Sequence, residues 1–390
     1  MVSLQIETLL DVFLHTARSP SSIEDFVLEC GSEHWAYGDL DSISSGLALE
    51  LYQHYGLRPT VAVLSENHPY TFALLLATWK LGGIVAPLDH NSPLDMIKQM
   101  AENLQPTCVL VPEDMDAATE IFSGKPRFFP PFESGGSFIT DYHLSNLDIA
   151  LGIRVISLAK NTTMTLLTQR YIDQSALLPH TLFPLPSPSS LALYIHTSSA
   201  STIFNLKCVQ LTHASIAKGS QSTVEWSRKA WPALNFSKLR VLGWAPWSHI
   251  IGISHDIGGS VFGTGGCYVF GATPSGYPTL PNGDPMSSTK GMDMVDRLLA
   301  AALRTRPDIM MTVPLILEGF RKTYLAHLSA NEVETASLIK QMLLHLKGFG
   351  VGGALVNADT FVWARDLGVK VSSNIGMTEL GGMSCSFLDN

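Results

Sequence analysis

Ser373-Asn374-Ile375-Gly376-Met377-Thr378-Glu379 is the stretch on which the reading of this 390-residue chain turns. It shortly follows Gly350-Val351-Gly352-Gly353-Ala354. Both lie well downstream of a hydroxyl-rich loop, Thr197-Ser198-Ser199-Ala200-Ser201-Thr202, closed by Lys207. Hydroxyls and successive backbone N–H groups between two strands can hold a polyphosphate, and Lys207 adds a cation. A carboxylate beside a hydroxyl, as in Thr378-Glu379, suits Mg²⁺, which takes oxygen ligands while keeping waters and phosphates. Singly, each piece is weak, because Ser/Thr-rich loops are mostly solvated turns and a Thr-Glu pair often opens a helix. In this order, the three pieces suggest one nucleotide site.

Composition narrows the class. With 46% hydrophobic and 15% charged residues, the chain has a large core to bury. Its net charge of -9 disfavours a surface built to neutralise a phosphate backbone, so nucleic acid is not expected as a partner. The five cysteines are scattered and never form a C-x-x-C pair, which indicates neither a disulfide framework nor a zinc site and points to a reducing, cytoplasmic setting. Glu7 and Asp11 make the N-terminal segment an amphipathic helix rather than a secretory signal. The longest apolar run, 71–88, is interrupted by Lys80, Gly82, Gly83 and Pro87 and reads as helix plus strand, not as a membrane span.

Outward from the motif, the pattern alternates. Residues 61–64 read as a strand, 70–81 as a helix, 84–86 as a strand, 93–103 as a helix and 107–111 as a strand, the order that builds a parallel sheet covered by helices. The segment 182–190, rich in Pro and Ser, reads as a connector, dividing a first α/β part (1–181) from a second (191–390). Strands are expected at 191–196 and 206–211 on either side of the hydroxyl loop, with Thr212 capping a helix. Residues 252–271 read as a glycine-rich segment and 273–288 as a Pro/Gly/Ser loop, with helices near 292–303 and 333–346.

Taken together these pieces resemble the large N-terminal part of the adenylate-forming superfamily of acyl-CoA synthetases, luciferases and nonribosomal peptide synthetase (NRPS) adenylation domains. Trp35-Ala36-Tyr37-Gly38-Asp39-Leu40 is similar to the family's "TYxEL", and Trp79-Lys80-Leu81-Gly82-Gly83 through Pro87-Leu88 to "LLAxxKAGxxxxPL". Thr197-Ser198 through Lys207, Val209, Leu211, Thr212 and His213 resembles "TSGTTGxPKGVxLTH". Pro246-Trp247-Ser248-His249-Ile250-Ile251-Gly252 resembles "PxxHxxG", Gly352-Gly353-Ala354 "GGA", and Gly376-Met377-Thr378-Glu379 "YGxTE".

The resemblance implies an α/β fold of two stacked αβα subdomains with a small β-barrel-like part, the whole chain forming one AMP-binding large domain. It also implies a reaction in which a substrate carboxylate attacks the α-phosphate of ATP. By matching position, Thr197, Ser198, Ser199, Ser201 and Thr202 would hold phosphates with Lys207 near them. Thr378 would bond the α-phosphate, Glu379 would hold Mg²⁺, and Gly352, Gly353, Ala354, Asn374, Ile375 and Gly376 would border the nucleotide. His249 would face the acyl group. The chain also departs from the pattern: nine residues separate Thr197 from Lys207 where the family has seven, without its glycines, and Ile375 stands where a tyrosine usually packs on adenine. The family's ribose-binding aspartate, hinge and small C-terminal domain with a catalytic lysine would fall after Asn390, so a truncated chain is expected.

Amino-acid-activating relatives usually place an aspartate where this chain has Gly252, with Asp256 nearby. The expected substrate is therefore a small carboxylic acid without an α-amino group, aryl or aliphatic. The acceptor would be CoA or phosphopantetheine. The chain is similar to the adenylation part of fungal NRPS-like carboxylic acid reductases, which implies a carrier domain and a reductase domain in a longer parent chain. A second reading stays open: an adenylation-like module that binds without turnover.

Overall fold

The computed structural model describes residues 7–65, 67–89, 92–112, 154–158, 164–175, 185–197, 207–230, 232, 235–270 and 294–388. In chain order the strands are β1 (Phe26–Cys30), β2 (Glu33–Ala36), β3 (Thr60–Val63), β4 (Ile84–Pro87), β5 (Cys108–Pro112), β6 (Arg154–Leu158) and β7 (Leu191–Thr197). They continue with β8 (Lys207–Thr212), β9 (Arg240–Gly243), β10 (Cys267–Phe270), β11 (Ile309–Thr312), β12 (Gly348–Gly352), β13 (Val371–Met377) and β14 (Gly382–Leu388). Two compact units result, one of residues 1–17 and 38–214, the other of 18–37 and 215–390.

The first unit is built on a six-stranded sheet in the order β6-β5-β3-β4-β7-β8, parallel except for β8. Strands β3, β4 and β5 read as short, continuous apolar runs because successive residues on both of their faces are buried. Helix Pro69–Lys80 is buried along its whole length. Pro69 supplies a preset φ at its first turn, and His68 Nδ1 accepts the Tyr70 N–H at 3.0 Å. The helix ends on Lys80, whose ammonium is buried yet satisfied by Asp41 Oδ1 (2.6 Å), Asp41 O (2.8 Å), Ser44 Oγ (2.7 Å) and Ser45 Oγ (2.8 Å). That cluster ties it to helix Tyr37–Tyr55. A buried charge persists only with such complete pairing.

The second unit is built on an eight-stranded sheet, β14-β13-β12-β11-β9-β10-β1-β2, whose inner strands are parallel and whose edge strands β14 and β2 run antiparallel. Helices Met294–Thr305, Pro314–Ser329, Val333–His345 and Ala358–Leu367 bury their apolar faces in one core with Leu242, Met310, Phe349 and Val351. Phe320 stacks on Phe349 with centroids 6.2 Å apart. Both sheets are open, and among the described residues neither closes into a barrel.

The unit boundary differs from the Pro/Ser connector at 182–190. β7 pairs with β4 (Val85↔Leu193) and so extends the first sheet, carrying the boundary to Ala214. Residues 18–37 belong to the second unit because Leu28 and Glu29 pair with Tyr268 and Val269. The glycine-rich segment also resolves differently. Ile251–Val261 is a wide π-helical stretch, buried from Gly252 onward, and β10 follows it. The expected Pro/Gly/Ser loop at 273–288 lies outside the described residues.

Candidate functional site

In the first unit, the antiparallel pair β7/β8 sets Thr197 directly opposite Lys207. A hydroxyl and an exposed ammonium therefore flank the base of the connecting loop. Ser198, Ser199, Ser201 and Thr202 lie outside the described residues. His213, which follows β8, is buried, and its ring meets Trp79 edge-on at 5.5 Å. Burial pushes its pKa down to about 4, so it stays neutral in the fold.

In the second unit, the remaining candidates follow the carboxyl ends of three parallel strands: His249 after β9, Gly353-Ala354 after β12, and Thr378-Glu379 after β13. Parallel strands put their carboxyl ends on one edge of the sheet, which is where open α/β sheets bind ligands. Gly352 is paired with Asn374, and a Cβ on Gly352 would stand 2.8 Å from Asn374 O. Gly353 then takes φ +83°, a conformation in which glycine is favoured. Gly353 and Ala354 are exposed, leaving bare backbone against which a flat base can lie.

Asn374 is placed inward. Its side-chain N–H groups donate to Ser372 Oγ (3.3 Å) and Ser372 O (3.4 Å), and the amide lies against Gly350. Ile375, in contrast, is 55% exposed. Gly376 is exposed as well, Thr378 is half-buried, and Glu379 points into solvent from a single 3₁₀ turn, Thr378–Leu380.

That turn is positioned by glycines that motif reading passes over. Gly381 (φ +74°) sits so close to the helix His213–Ala230 that an added Cβ would stand 2.5 Å from Ser215 O. A Cβ on Gly219 would lie 2.3 Å from Gly381 O, and one on Gly382 2.5 Å from Ser254 Oγ. Ser220 Oγ closes the arrangement by donating to Ser254 O at 2.8 Å. Gly219 and Ser254 are invisible as site residues in the sequence, since their role is to let backbones approach. A G-G pair one residue beyond Thr-Glu was the available signal for Gly381 and Gly382.

His249 sits on a tight turn: its N–H donates to Pro246 O (2.9 Å), and Ile251 N–H donates to His249 Nδ1 (3.3 Å). Nδ1 thus accepts, which leaves the proton of the neutral ring on Nε2. The ring edge is exposed, while the protein packed around it lowers its pKa. Behind it, Trp247 Nε1–H donates to the Tyr268 hydroxyl at 3.2 Å, and Tyr268 packs on Phe270 at 4.8 Å. A Cβ on Gly252 would stand 2.9 Å from Ala245 O, Pro246 O and the Trp247 ring.

Among the described residues, no group of three or more His, Cys, Asp or Glu could cage a metal, and no helix is long and apolar enough to cross a membrane. A single solvent-facing carboxylate at Glu379 offers the hard oxygen chemistry that Mg²⁺ accepts when phosphates and waters supply the rest.

The AMP-binding enzyme family profile matches residues 16–390. The chain is 37% identical over 382 residues to hispidin synthase of Neonothopanus nambi, a match covering 96% of this chain and 20% of that protein. The chain thus spans about one fifth of the length of that relative. Among solved structures, it resembles the N-terminal subdomain of Klebsiella oxytoca NpsA in complex with 3-hydroxybenzoyl-AMSN (TM-score 0.65, 18% identity, 98% of this chain and 76% of that one). It also resembles ATP-bound MatB from Rhodopseudomonas palustris (TM-score 0.66, 18% identity, 98% of this chain and 62% of that one).

Proposed function

Because this chain belongs to the AMP-binding enzyme family, we propose that it activates a carboxylic acid with ATP, forming an acyl-adenylate. A carboxylate oxygen bonds to the α-phosphorus as the bond from that phosphorus to the bridging oxygen of pyrophosphate breaks, and pyrophosphate leaves with the bonding electrons. The observation that carries this reading is the gathering of His249, Gly352-Gly353-Ala354 and Thr378-Glu379 at the carboxyl edge of one parallel sheet.

In this reading the chain's work is positioning and charge neutralisation. The Thr378 hydroxyl donates to an α-phosphate oxygen. Thr197, Lys207 and the hydroxyls of Ser198, Ser199, Ser201 and Thr202 would hold the outgoing phosphates. The purine lies over the exposed backbone of Gly353-Ala354 and against Ile375, an aliphatic surface in place of an aromatic one. Glu379 holds Mg²⁺, which supplies charge neutralisation on the phosphates. His249 presents its ring to the acyl group.

The acid is one without an α-amino group. A Cβ added at Gly252 would stand 2.9 Å from Ala245 O and Pro246 O, closer than such contacts normally come, which supports a position without a carboxylate to meet an α-ammonium. The likeness to hispidin synthase, of which this chain spans 20%, supports a longer parent chain. In such a parent the acyl group would pass to a phosphopantetheine-bearing carrier domain, with a reductase domain to follow; CoA is the alternative acceptor. We place the chain in the cytoplasm with its ATP supply.

Acid-dependent exchange of labelled pyrophosphate into ATP tests the reading. Exchange that requires both a carboxylic acid and Mg²⁺, and that falls in Lys207→Ala, is expected. The long, glycine-free stretch from Thr197 to Lys207 and the replacement at Ile375 favour a second reading, a module that binds without turnover. Nucleotide binding with no exchange for any acid would select it.

A further inference from the structure

Ser220, buried on helix His213–Ala230, makes a hydrogen bond that it does not need for its own satisfaction. A buried hydroxyl in a helix can bond the carbonyl four residues back. Thr223 does so, donating to Gly219 O at 3.2 Å. Ser220 Oγ has the same recourse in Ile216 O at 2.9 Å, yet it also stands 2.8 Å from Ser254 O in the π-helical stretch Ile251–Val261. The single hydroxyl proton is thus shared with a second element, at a position closed to solvent on both sides.

Both serines lie behind the turn that carries Thr378 and Glu379. Gly381 ends that turn, its N–H donating to Thr378 O at 3.0 Å. The helix supports Gly381 from one side, so closely that a Cβ on Gly219 would stand 2.3 Å from Gly381 O. The π-helical stretch supports Gly382 from another, where a Cβ would stand 2.5 Å from Ser254 Oγ. The Ser220 hydroxyl joins these two supports. Glu379 lies two residues before Gly381, so a change in the spacing of the supports moves its carboxylate.

We propose that Ser220 is a positioning residue for the Thr378–Leu380 turn. By bonding Ser254 O it holds helix and π-helical stretch at the spacing that places the Glu379 carboxylate for Mg²⁺ on ATP. It acts through Gly381 and Gly382, as groups behind a metal ligand orient that ligand. The inference rests on the nucleotide and metal roles in the acid-activation reading, and it gives a part in them to a residue outside every motif.

Calorimetric titration of the 390-residue chain with ATP and Mg²⁺ tests it. Ser220→Ala should weaken Mg-ATP binding about fivefold or more, whereas Thr223→Val, which removes a buried hydroxyl bonded within the helix, should change it by about twofold or less. In a chain already carrying Glu379→Gln, adding Ser220→Ala should cost about twofold or less, because the group it positions is gone. Fully additive losses, an unchanged affinity in Ser220→Ala, or an equal loss in Thr223→Val overturns the inference. Hydrogen exchange on the unaltered chain decides the matter if Ser220→Ala does not fold. Mg²⁺ added to the ATP-bound chain should slow amide exchange in residues 251–261 as well as 378–382, and unaffected exchange in 251–261 overturns the inference. Failure of the unaltered chain to bind ATP at all would instead overturn the acid-activation reading, and the inference with it.

Discussion

His213 shows how one buried side chain governs the pH range of the fold. It is neutral in the native state because burial holds its pKa near 4, whereas in the unfolded chain it takes up a proton around pH 6.5. Between these values the unfolded state binds more protons, so stability falls as pH drops from about 6.5 towards 4, by at most about 3 kcal/mol from this residue. His196 and His249, also lowered by burial, act in the same direction. Urea midpoints taken from pH 7 to 4.5 should decline, and less steeply in His213→Gln. At the proposed nucleotide site, Glu379 projects into solvent and has no structural role in the core, so Glu379→Gln should leave folding intact. It should weaken Mg-ATP binding about tenfold or more with little change in acid binding; equal loss of both would remove the metal role. Gly352, Thr378 and Glu379 stand out as candidates in the sequence because their residue types suit close backbone approach, phosphate bonding and cation binding. The inward turn of Asn374 was not legible, because it depends on contacts with Ser372 in its own strand and with Met311 across the sheet.

Among the elements, the turn Thr378–Leu380 depends on close backbone approach. In Gly381→Ala the methyl group would meet Ser215 O while forcing an L-residue to φ +74°. The left-handed conformation alone costs about 1–2 kcal/mol, so thermal stability should drop and nucleotide affinity with it. An unchanged affinity would mean that helix His213–Ala230 does not set the position of Glu379. Helix Pro69–Lys80 makes the same argument through charge. Lys80→Met leaves Asp41 without its cation in the interior and should cost about 3–5 kcal/mol by urea denaturation, part of it recovered by adding Asp41→Asn. Strands β3, β4 and β5 and their helices were readable from apolar runs and punctuating Gly and Pro. The stretch Ile251–Val261 was not, since dense glycine imitates a loop and a π-helical repeat does not follow the 3.6-residue period used to recognise helices.

For the whole molecule, alternation of strands and helices gave away the α/β class, while membership of the two units did not follow chain order. Strand β1, near the N-terminus, joins β10 across more than half the chain, and no local pattern encodes such a pairing. Each unit contributes its own candidates, Thr197 and Lys207 in one, His249, Gly353 and Glu379 in the other. The central claim is the proposed one, that the chain binds ATP and activates a carboxylic acid with it. Calorimetric titration of the 390-residue chain with an aryl acyl-sulfamoyl-adenosine, and separately with ATP and Mg²⁺, tests it most directly. The account predicts saturable binding of each ligand, with ATP affinity lowered about tenfold or more by Lys207→Ala and, separately, by Glu379→Gln. No heat of binding with either ligand, or ATP binding indifferent to both substitutions, would contradict it.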